Sequence, residues 1–436
     1  MDTPPSLPRF GSRSRTSKTV PSRDRQGAVA GMLPLPDGRG SDTSRGAIGS
    51  ALISQILPQL VAQQSSITEF LRELVECESP SDDAAAVSRC VDLLAASVAG
   101  IAKVKTFPGG RYGRNLLLTF QLAGPRRKQA GRVLGVGHSD TVWPVGTLKT
   151  MPWREANGRL WGPGVFDMKA GLVFFISAMK TLQALDLPVL REVALWIVSD
   201  EEVGSEGSRA LTEKLAKESS AVLIPEPAAG PAGKLKTARK GVGDYVVTVL
   251  GKPAHAGLDF QAGASAIVEL ARQVEKIAAF TDLSKGLTVN PGVISGGTRT
   301  NVIAAEARVE VDMRVARIKD YAPLHRKFLG LRAVDKRCKV EVNGGLNRPP
   351  MERTKGVAAL FGAARDLAAE HLGLQLEECA VGGGSDGNFT AGLGIPTLDG
   401  LGAVGEGAHA ANESIVVERM AERAALLALL AHHLGQ

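Results

Sequence analysis

The sequence predicts an α/β protein whose mostly parallel, doubly wound sheet is interrupted by an α+β insertion. Three observations carry this reading. The 436 residues exceed the size at which a single hydrophobic core usually keeps growing, so more than one structural unit is expected. Between residues 114 and 200, strand-like apolar runs alternate with helical periods, the pattern of a parallel sheet with covering helices. Beyond Lys236 the texture changes to half-polar alternating strands.

Residues 1 to 50 carry eight Lys or Arg against four Asp, a net +4 that leaves only +3 of the total +7 for the rest of the chain. This stretch is rich in Pro, Ser, Gly and Arg without an apolar period, so residues 1–47 are read as a disordered basic tail. The tail lacks the apolar core of a secretory signal, and no run of about 18 apolar residues follows, so a cytoplasmic protein without a membrane partner is expected. With the charge concentrated in the tail and only 4% aromatics, no nucleic-acid partner is expected either. The cysteines at 77, 90, 338 and 379 lack C-x-x-C spacing and read as free thiols.

The first segment of the α/β body is expected over 48–236. Helical spacing runs from Ile48 to Val75 and again over about 84–99, separated by "ECESPSDD", whose Ser-Pro breaks one helix and whose paired Asp can cap the next. Strands follow at "RNLLLTFQL" and "RVLGVGHSD", a helix at "KAGLVFFISAMKTLQAL", and a strand at "VALWIVSD". The insertion, 237–346, reads strand-helix-strand-strand-helix-strand, which suits a four-stranded antiparallel sheet with two helices on one face. In "ARVEVDMRV", Val309, Val311, Met313 and Val315 alternate with Arg308, Glu310, Asp312 and Arg314. After "RPPM", helical and strand patterns resume, giving the second segment of the α/β body over 347–436.

Chemistry concentrates at the predicted strand ends, where ligand sites of doubly wound sheets form. "VALWIVSDEEVGS" sets Asp200, Glu201 and Glu202 side by side after a buried strand, an unfavourable grouping unless positive charge lies beside it. His138 and Asp140 in "GHSDTV", Asp167 in "GPGVFDMKAG", Glu226 in "LIPEPA", His255 in "GKPAHAG" and His409 in "GEGAHAANE" add imidazoles and carboxylates without thiolates, a set suited to zinc, cobalt or manganese. Singly, each has a plain structural role: a core histidine, an N-cap, a loop carboxylate, a surface or turn histidine. Their number exceeds the needs of one tetrahedral ion. Two cocatalytic ions would instead require a bridging carboxylate.

In this order, "GHSDTV", "GPGVFDMKAG", "SDEEVGS", "EP", "GKPAHAG", "GGGSDGNF" and "GAHAANE" resemble the M20 family of dinuclear zinc peptidases and deacylases, from about Leu52 to the C-terminus. The resemblance implies two zinc ions per subunit, with cobalt or manganese as alternatives. His138 and Glu226 would hold one ion, Glu202 and His409 the other, and Asp167 would bridge. Asp140 would orient His138. Glu201 would act as general base, moving a proton from a bridging water to the leaving nitrogen. The insertion resembles the family's dimerisation domain, which implies a homodimer in which His255 reaches the partner's site to stabilise the oxyanion. Asn301 in "GTRTNV" and Arg314 in "VDMR" match carboxylate-binding positions of the glutamate carboxypeptidase branch, as do Lys234 and Arg348. Such cations would favour an acidic C-terminal residue, since Arg offers a carboxylate a bidentate fork. "GGGSDGNF" lacks the ending of a phosphate-binding loop and, by the same resemblance, lines the pocket.

The expected activity is therefore hydrolysis of the amide bond to a C-terminal glutamate in a small acyl or peptidyl substrate. Deacylation of N-acyl amino acids and dipeptide hydrolysis are the nearer alternatives. A non-catalytic binding protein is the distant one.

Overall fold

The main sheet runs Ala102–Pro108, Arg114–Phe120, Val193–Val198, Arg132–His138, Ser219–Leu223, Thr397–Leu398. Its last three pairings are parallel and its first two antiparallel, so the expected mostly parallel sheet carries an antiparallel margin. The computed structural model describes residues 51–124 and 131–436. The expectation for residues 1–47 lies outside them.

Burial explains the central strands. Every residue of Val193–Val198 is buried, and Trp196 finds its polar partner in Thr212 Oγ1 at 2.9 Å. The helix Ala170–Ala184 crosses the sheet so closely that a Cβ on Gly137 would meet Leu172 and Met168 side chains at 2.8 Å. A Cβ on Gly171 would lie 1.8 Å from the carbonyl oxygen of Pro225, so only glycine lets the helix start beside the Glu226 loop. The long N-terminal period is divided into Ile56–Ala62 and Gln64–Glu76. The next helix, Ala84–Ser97, is capped by Asp83, which accepts from the N–H groups of Ala85 and Ala86.

The insertion has the expected order. Its antiparallel sheet runs Thr288–Gly296, Glu306–Val315, Gly241–Leu250, Lys339–Arg348. Tyr245, Val247, Val249, Val309, Val311, Met313 and Val315 turn inward and form a core of their own with Leu270 and Ile277 of Ala266–Ala278 and Leu324 and Phe328 of Ile318–Leu329. The two crossings between insertion and body run side by side: Arg239 and Met351 exchange backbone hydrogen bonds at 3.0 Å. The Asn388 amide spans both, donating to the carbonyls of Lys240 (3.0 Å) and Pro349 (2.7 Å).

The edge strand Ala102–Pro108 escapes the sequence reading because its face is largely exposed and Lys alternates with Val. Four short strands, Arg154–Ala156, Arg159–Trp161, Gly405–Glu406 and Ser414–Val416, form a further small sheet that ties the C-terminal loop to the region before Asp167.

Candidate metal centre

Three neighbouring parallel strands end at one place. His138 is the last residue of Arg132–His138, Glu201 and Glu202 follow Val193–Val198, and Glu226 follows Ser219–Leu223. Asp167 arrives from the loop before Ala170–Ala184, and His409 from the C-terminal loop. His138 Nε2 lies 3.3 Å from Asp167 Oδ1 and 3.5 Å from Glu226 Oε1. His409 Nε2 lies 3.1 Å from Glu202 Oε2 and 3.5 Å from Asp167 Oδ2. Asp167 thus turns one oxygen to each imidazole.

These spacings test the fit to metal. Nitrogen and oxygen ligands about 2.0–2.1 Å from a tetrahedral ion stand about 3.3 Å from one another. The four separations, 3.1 to 3.5 Å, are the edges of such polyhedra, and His138, Asp167 and Glu202 offer ligand atoms within 4.8 Å of one another. His138 Nδ1 lies 2.9 Å from the carbonyl oxygen of Asp140, which can only accept, so Nδ1 carries the proton and Nε2 keeps its lone pair for an ion.

Asp140 lies at this ring as expected: its backbone carbonyl is 2.9 Å from His138 Nδ1 and its carboxylate 3.6 Å. The carboxylate accepts from Ser81 Oγ at 2.7 Å and from the N–H groups of Glu201 and Glu202 at 3.2 Å, holding the acidic turn in place. Asp200 also gains a role: its Oδ2 accepts from the N–H groups of Gly207 and Ser208 and pins the chain after the turn.

The electrostatics follow from crowding. Burial pushes the His138 imidazole down, but the nearby carboxylates of Asp140, Asp167 and Glu226 outweigh it and hold its pKa well above the ordinary value. Asp167 and Glu202 raise His409 to about 10. Burial would raise Asp167, yet the two histidines keep it well below the usual carboxylate range. Burial raises Glu202 and pushes Glu201 well up, the latter against the pull of Arg348.

The basic residues divide. Arg348 is 7% exposed, and its Nη2 lies 2.9 Å from Glu201 Oε1, 2.8 Å from Ser205 Oγ and 3.1 Å from Asp386 Oδ1. Its guanidinium therefore pairs directly with the Glu201 carboxylate. Lys234 Nζ is 2.6 Å from Glu377 at the surface, so the structure does not bring it to the carboxylates. Arg314 pairs with Asp312 at 2.8 Å and flanks Val242 in one cross-strand row with Arg348. His255 and Asn301 are exposed on the insertion. Their segments are joined by the Ala256 N–H donating to the Asn301 carbonyl, and His255 Nδ1 accepts from the N–H groups of Gly257 and Leu258.

Sequence reasoning missed Arg239. Its guanidinium makes a two-pronged bond to Asp399 at 2.7 and 2.8 Å and reaches within 3.7 Å of Glu226 Oε2. Asp399 in turn accepts from Ser385 Oγ at 2.7 Å, which links the "GGGSDGNF" loop to the centre. Buried pairs 160 residues apart leave no periodic trace in a sequence. The one available signal was an Arg on the buried side of a short strand, Leu235–Arg239.

Comparison with known proteins shows the family and the fold. The chain is 29% identical to carboxypeptidase G2 of a Pseudomonas species over 353 residues, 80% of this chain and 84% of that enzyme. It is 30% identical to a succinyl-diaminopimelate desuccinylase of Cereibacter sphaeroides over 322 residues, 67% of this chain and 81% of that one. The crystal structure of an aminopeptidase from Bacillus cereus shares the fold, with a TM-score of 0.68 at 22% identity over 86% of this chain and 99% of that one. The model of Peptidase family M20/M25/M40 matches residues 135–433, a span that takes in the converging strand ends, the insertion and the His409 loop: the chain belongs to that family and is a hydrolase of the peptidase type.

Proposed function

We propose that the protein hydrolyses the amide bond to a C-terminal amino acid, glutamate by preference, at a centre of two zinc ions, with cobalt or manganese able to substitute. The observation that carries this is the Asp167 carboxylate, one oxygen toward His138 and the other toward His409. His138 and Glu226 would hold one ion, Glu202 and His409 the other, and Asp167 would be shared. Bound divalent ions supply an acidified water and polarise the scissile carbonyl. Glu201 takes the proton of the attacking water and hands it to the leaving nitrogen. Burial raises its proton affinity, and Arg348 fixes its carboxylate.

The glutamate preference is supported by the similarity to carboxypeptidase G2 and by Arg314 and Asn301 as carboxylate donors. The similarity to the desuccinylase supports a second reading, deacylation of an N-acyl amino acid. A homodimer is supported by the insertion. Its edge strand Thr288–Gly296 is unpaired on one side, and Val293 and Ile294 are 58% and 61% exposed, features that a second copy would cover. His255 would then act on the partner's substrate.

A substrate panel on protein of measured metal content tests the proposal. Acyl- and peptidyl-glutamates should be cleaved with the highest kcat/KM. A preference for N-succinyl amino acids would favour the second reading, and a preference for neutral dipeptides with a free amino group would refute both.

A further inference from the structure

One buried carboxylate beside the centre touches neither imidazole. Glu413 is 0% exposed. Its Oε1 accepts from the N–H groups of Phe166 (2.9 Å) and Asp167 (3.0 Å), and its Oε2 from the N–H of Gly164 (2.9 Å) and Trp143 Nε1 (2.8 Å). Four donors fill the acceptor sites of an ionised carboxylate, and no proton is available to donate back. At its other end, the Glu413 N–H donates to the Ala410 carbonyl at 2.9 Å, closing the turn that presents His409.

Glu413 therefore grips the loop of Asp167 through its side chain and the loop of His409 through its backbone. Asp167 and Glu413 are 246 residues apart in sequence, yet their loops must hold His409 Nε2 and Asp167 Oδ2 at 3.5 Å. We propose that Glu413 is a positioning residue that sets this spacing and thereby the metal affinity of the centre. Groups that orient metal ligands typically change affinity about 10–100-fold when lost. The inference rests on the reading of the cluster as a metal centre.

The experiment compares the full chain with Glu413→Gln and Asp167→Asn, loaded with zinc and dialysed against graded chelator. Bound metal is measured directly, and the Tm of each metal-free protein is recorded. Glutamine keeps the shape but replaces one acceptor oxygen with a donor, so it cannot serve both pairs of N–H groups. Glu413→Gln is expected to lower metal affinity about 10–100-fold, more than any change in metal-free Tm accounts for. Wild-type affinity in Glu413→Gln, with weakened binding in Asp167→Asn, overturns the inference and leaves the metal centre standing. Wild-type affinity in Asp167→Asn overturns the metal-centre reading, and this inference with it. Should Glu413→Gln not fold, Trp143→Phe removes one of the four bonds and keeps a ring; a severalfold loss of affinity supports the inference and none overturns it.

Discussion

The body and the insertion treat their chemical groups differently. In the body, three adjacent strands deliver His138, Glu202 and Glu226 to one spot, which Asp140, Arg239 and Glu413 fasten and which Arg348, at the end of the insertion's last strand, reaches. In the insertion, His255 and Asn301 face outward with no carboxylate of the cluster among their hydrogen-bond partners. The sheet end assembles its centre from one chain, and the insertion's strand Lys339–Arg348 reaches it through Arg348. His255 and Asn301 would need closure or a second copy to meet it.

The largest effect expected on this contrast is in the body. Glu201→Gln should lower kcat by about 10²–10⁴ while bound metal stays at the wild-type level, as measured by turnover and metal content on the same preparation. Loss of the metal as well would show that Glu201 belongs to the ligand set.

His255→Ala should cost about 10²–10³ in kcat, the usual value of an oxyanion donor, with metal unchanged. The sharper measurement mixes Glu201→Gln with His255→Ala and allows subunits to exchange. If His255 serves the partner's site, half the dimers carry one intact site, and activity returns to about a quarter of wild type. No recovery would mean that His255 acts, if at all, within its own chain.

Metal removal gives a pH signature confined to the body. His409 has a folded pKa of about 10 against an ordinary value of 6.5. Its contribution to the stability of the metal-free protein is complete below pH 6.5 and disappears as the pH rises toward about 10. The Tm of chelated protein should therefore fall across that window, and Asp167→Asn should flatten the fall. The smallest effect is expected from Lys234→Ala. With its ammonium committed to Glu377 at the surface, KM should change less than about twofold.

What could be read in advance divides along the same line. The alternation in Glu306–Val315 was legible because one face is buried and the other is not, and it gave the insertion's sheet correctly. His138, Glu202 and Glu226 were legible as residues beyond apolar strands. Arg239 and Glu413 were not, because a buried charge announces itself only through partners such as Asp399 or the Asp167 backbone, far away in the chain. Lys234 and Arg348 looked alike as lone cations in loops. Burial separates them, since Arg348 is 7% exposed and is surrounded by acceptors.

The Asn388 amide bridging the carbonyls of Lys240 and Pro349 acts as a rivet through two straps. Both crossings of the chain between insertion and body are thus fastened at one point. Arg348 is one residue from that rivet and donates to Glu201, so the crossing is tied directly to the acidic turn. A single guanidinium thus joins the last strand of the insertion to Glu201, Ser205 and Asp386 of the body.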